Sequence, residues 1–86
     1  MQKPDPYLKA AIMEVVENQL RDNKPPETRQ TFARLLSLGI PEGEAKQMIG
    51  RVVVMEIFEV LKRGEEFNHS RFVAALDRLP DMPEEG

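Results

Sequence analysis

Two short stretches of the chain carry glutamates at a spacing that could do chemistry. Met13-Glu14-Val15-Val16-Glu17 and Met55-Glu56-Ile57-Phe58-Glu59 each hold two carboxylates three residues apart, beside a methionine and within apolar sequence. Residues three apart share a helix face, so two such pairs on facing helices could build a four-carboxylate metal site. A site of that kind needs its carboxylates pointing into the bundle, and facing follows from spacing at about 100° per residue. In the first stretch, Leu8, Ile12, Val15 and Val16 gather on one side, flanked by Ala11 and Leu20. Glu14, Glu17 and Arg21 fall opposite. Glu17 and Arg21 have the i, i+4 spacing of a surface ion pair worth about 0.3–0.5 kcal/mol.

The second stretch is apolar around more of its circumference. Ile49, Val53, Ile57, Val60 and Leu61 make the main face, extended by Val54 and Phe58. Glu59 and Lys62 lie outside it, and Glu56 sits at its boundary. One half-buried glutamate is not a metal site, so no metal ligand and no cofactor are expected. A single histidine (His69), two serines (Ser37 and Ser70) and the lack of a Gly-rich phosphate loop offer no nucleophile–base pair and no small-molecule site. The chain is not expected to be an enzyme.

Two polar residues call for partners. Gln19 projects onto the same face as Leu8, Ile12 and Val15, and a buried amide without hydrogen bonds costs about 1–3 kcal/mol. It is expected to bond to a loop backbone or to a polar side chain such as Glu56, the other candidate buried polar group. Met48, Val52 and Met55 form a second apolar stripe at i, i+4, i+7, with Glu59 next along the same line. A helix apolar on two sides is buried on two sides. Either the other helices cover this stripe, or it is exposed and meets a second copy or another protein. Met48, Val52, Met55 and Glu59 are therefore the candidate interaction residues.

Prolines and glycines divide the 86-residue chain into the elements that carry these groups. A first helix is expected over Asp5 to Asp22, capped by Asp5 and stopped by Asn23-Lys24-Pro25-Pro26. A second starts at Pro26-Glu27 and ends at Gly39. Pro41 and Glu42 open a long third helix that closes at Lys62-Arg63-Gly64. Asn68 caps a fourth, with Phe67 stapled to Phe72, its core positions at Phe72, Ala75, Leu76 and Leu79, and Pro80 as its stop. The fold expected is all-α: one compact four-helix, bundle-like domain over residues 1–86, with short loops, a central third helix and flexible ends at 1–4 and 81–86.

Composition narrows the classes of function. Hydrophobic residues make up 41% and charged residues 31%, a balance suited to a small globular domain. The net charge of −3 and the acidic start of the third helix disfavour nucleic acid. The turn from Leu38 to Gln47 does resemble that of a helix-turn-helix, and also the first turn of ubiquitin-associated domains. Read as a recognition helix, however, it would present Glu42 and Glu44 to phosphates. There is no cysteine, no transmembrane-length apolar run and no apolar leader, which points to a cytoplasmic protein without a membrane partner.

The motifs VVENQL (residues 15–20), EAKQMIG (44–50) and RGEEFN (63–68), with a Pro-rich break after the first and a Leu-Pro ending, resemble a small bacterial helical domain of unknown function. The likeness runs from Tyr7 to Pro80 and implies a helical fold and a bacterial origin rather than a chemistry. Relatives of that kind carry histidine near the positions held here by Met13 and Gln47, so any metal role built on those histidines would not transfer. Taken together, the expectation is a cytoplasmic bacterial protein-interaction or structural domain, able to form homodimers. The alternatives are a helix-turn-helix-like DNA-binding module and, last, a carboxylate metal enzyme.

Overall fold

The structure, a computed structural model, describes residues 6–81. These form four helices and no strand: α1 (Pro6–Asp22), α2 (Pro26–Ser37), α3 (Glu42–Arg63) and α4 (His69–Arg78). The expected Asp5 cap and the flexible end at 1–4 lie outside the described residues, as does the 81–86 end beyond Asp81.

The helix boundaries follow from local chemistry. α2 and α3 each start directly after a proline in extended conformation, Pro25 and Pro41. α1, α2 and α3 end alike, on a left-handed residue: Asn23, Gly39 and Gly64. The N–H one residue later then reaches back five residues, from Lys24 to Gln19, Ile40 to Leu35 and Glu65 to Val60, so carbonyls left over at each helix end are bonded. At the start of α4 the Asn68 side chain accepts from the Arg71 N–H at 2.9 Å. The Phe67 and Phe72 rings pack at 5.3 Å beside this cap.

α3 is central and packs against each of the other helices, whereas α1 and α4 do not meet. The core consists of Ile12 and Val16 from α1, Leu35 from α2, Ala45, Ile49, Val52 and Val53 from α3, and Phe72, Leu76 and Leu79 from the α4 segment. α2 works as a clasp. Arg29 donates to the carbonyls of Leu20 and Arg21 at the end of α1, and Arg34 to those of Leu76 and Leu79 at the end of α4.

α1 and α3 run antiparallel and close together. Gly50 is buried mid-helix; a Cβ there would lie 3.3 Å from Ile12 Cγ2, with Met13 and Val16 next. The missing side chain is what lets the two backbones approach. Lys46 pairs with Glu17 at 3.0 Å farther along. Continuing that register sets residue 57 level with residue 6, where the description of α1 begins. α3 from Phe58 onward therefore projects past this part of α1.

Candidate interaction surface

The four glutamates do not converge. Glu14 is exposed, and Glu17 belongs to Lys46, which also holds Glu42 at 3.2 Å and lies over the Phe32 ring. The expected Glu17–Arg21 pair is replaced: Arg21 turns to its neighbour Asp22 at 3.0 Å. Glu59 pairs with Arg63 at 2.6 Å. Among the described residues, no three His, Cys, Asp or Glu side chains stand close enough to hold a metal ion.

Glu56 is buried more deeply than its boundary position suggests, at 4% exposure. Its carboxylate is fully engaged. Arg71 donates to both oxygens, at 2.7 and 2.8 Å, and the Asn68 N–H adds a third bond at 2.9 Å. The Arg71 hydrogen bonds hold the Glu56 carboxyl below its ordinary pKa, outweighing the upward push of burial. This network ties the start of α4 to α3. Gln19 is half-buried, and its Oε1 accepts from the Thr28 hydroxyl at 3.0 Å. Its partner is thus a polar side chain, in the opening turn of α2 rather than at Glu56. Both polar groups lock helices together.

The Met48–Val52–Met55 stripe is not an exposed face. Val52 is 1% exposed and belongs to the core, with Met48 packed against it, and Met55 and Glu59 are half-buried. Val52 shares the core with Phe72 and Leu76 of α4, and Arg71 of α4 reaches Glu56, one turn beyond Val52.

The uncovered apolar surface lies elsewhere on α3, on residues that periodicity assigned to the main buried face. Ile57, Phe58 and Leu61 are 40%, 60% and 73% exposed. They sit level with the first described residues of α1 and beyond, with half-buried Val54 one turn back. At the same end, α1 begins with Tyr7 and Leu8, 85% and 54% exposed. Val15 and Ala11 on α1 are also exposed, so of the apolar side expected for that helix only Ile12 and Val16 are buried. Sequence reasoning had the signal for this surface, the extra apolar width of α3, but could not tell which arc its neighbours would leave open. Leu36 and Leu38, two further exposed leucines, lie at the far end, where α2 turns into α3.

The turn from Leu38 to Gln47 is on the surface, but its chemistry is acidic at the start of α3, where Glu42 and Glu44 are exposed and Lys46 is held between Glu17 and Glu42. No helix among the described residues is long and apolar enough to cross a membrane.

No family model matches the chain, and neither the curated proteins nor the solved structures contain a match. The surface itself therefore carries the functional reading.

Proposed function

We propose that this chain is a small protein-interaction domain whose working surface is the projecting end of α3, at Ile57, Phe58 and Leu61, with the start of α1 beside it. The observation that carries the reading is the exposure of an aromatic and two large aliphatic side chains in consecutive turns of one helix. Holding such groups in water forgoes about 25 cal/mol for each Å² left uncovered. Clustered apolar side chains of this kind on a small domain mark contact sites. The polar clusters support the same reading, since Glu56, Gln19 and Lys46 are each occupied in joining helices. A duplex contact through the Leu38–Gln47 turn would instead bring phosphates against Glu42 and Glu44.

Affinity capture tests the proposal. The full chain is used as bait in lysate of its native cell, beside Phe58→Asp/Leu61→Asp and, as a control, Leu38→Asp at the opposite end. The wild type and the control should retain a protein, an untagged copy of the chain included, that the double variant loses. Identical captures by all three baits would refute the surface.

A further inference from the structure

Resting on that reading, we propose that the occupant of this surface is a second copy of the same chain, docked by antiparallel packing of two α3 helices about a two-fold axis at Phe58. Area is the first support. Taking about 200 Å² for a fully free side chain of this size, the exposed fractions at Tyr7, Leu8, Ile57, Phe58 and Leu61 amount to about 600 Å² per copy. Two copies would cover about 1,200 Å², which reaches the range of stable specific interfaces. A domain of this size also has little core of its own, and self-association is a common remedy.

The pattern on α3 is the second support, because it is self-complementary. At about 100° per residue, Val54 and Leu61 lie on the same flank of Phe58, about 40° and 60° away, one a turn before it and the other a turn after. A two-fold axis at Phe58 stacks the two phenylalanines and sets Leu61 of each copy against Val54 of the other. An interface of this isologous kind uses one patch twice.

Sedimentation velocity on the full chain, from micromolar to millimolar, tests the proposal with three variants. The wild type sediments as a dimer. Phe58→Asp weakens it by at least about thirtyfold, as loss of a central aromatic anchor does. Leu61→Asp weakens it too, whereas Leu38→Asp, exposed at the far end where α2 turns into α3, leaves it unchanged. All changed residues are exposed, and a circular dichroism melt of each variant confirms that it is folded; Leu61→Asp replaces Phe58→Asp if the latter is not. A wild type that stays monomeric at millimolar concentration, or a dimer unaffected by either aspartate, overturns the second copy as occupant while leaving the capture experiment to decide the surface itself.

Discussion

Replacing Arg71 with alanine removes two of the three hydrogen bonds on a carboxylate that is 4% exposed. Glu56 would keep only the Asn68 N–H. Removing one partner of a buried ion pair costs about 3–5 kcal/mol, because the other charge stays buried. The Arg71 side chain is itself 28% exposed, so water can enter the space it leaves and the lower end applies, about 3 kcal/mol. For a domain of this size, whose whole stability is about 5–8 kcal/mol, that is close to half. At about 4–8 °C per kcal/mol the midpoint of a thermal melt should fall by about 12–24 °C at neutral pH. The pH dependence gives a second reading. Glu56 has a lowered folded pKa, so its contribution in the wild type is present above the ordinary carboxylate range and is lost as pH falls through the folded value. In Arg71→Ala only burial and one N–H remain, the carboxyl takes up its proton more readily, and the penalty shrinks on acidification. The gap between variant and wild type should thus narrow toward about pH 4. A midpoint shift of a few degrees, or a gap unchanged with pH, would refute the assignment of Glu56–Arg71 as the lock between α3 and α4.

Two further outcomes follow from the packing. Gly50→Leu should destabilise by about 1–3 kcal/mol or more in a denaturant titration, since the position already stands 3.3 Å from Ile12 at its Cβ; Gly50→Ala, with the helix-propensity gain of about 1 kcal/mol against that contact, should change little. Thr28→Val keeps the shape but removes the donor to Gln19, costing about 1 kcal/mol. Gln19→Leu should add little on top of it, and a double-mutant cycle without coupling would separate the two residues.

Much of the chain's architecture could be read from its punctuation. Pro26, Gly39, Pro41, Gly64 and Asn68 bound the helices because a ring that fixes φ, a residue free of Cβ, or a side-chain acceptor acts locally, within a turn of the chain. The environment of each face could not be read in the same way. α3 is apolar around most of its circumference, and periodicity has no means of telling Val52, which is 1% exposed, from Leu61, which is 73% exposed. Arg71 lies fifteen residues from Glu56, and Thr28 lies across the proline turn from Gln19, so both pairings depend on how α4 and α2 fold back. Gly50 carries a signal of its own: a glycine inside a strong helical pattern marks close approach, and α1 is what approaches.

The central claim is that the projecting end of α3 is a contact surface rather than an idle one. A dilution series followed by amide NMR tests it most directly, residue by residue. Concentration-dependent shifts are expected at Tyr7 and Leu8, at Val54 and across residues 57–61, and they should vanish in Phe58→Asp while that variant keeps the wild-type melt. Shifts confined to the Met48–Met55 side or to the Leu38–Gln47 turn, with none at Phe58 and Leu61, would contradict the account.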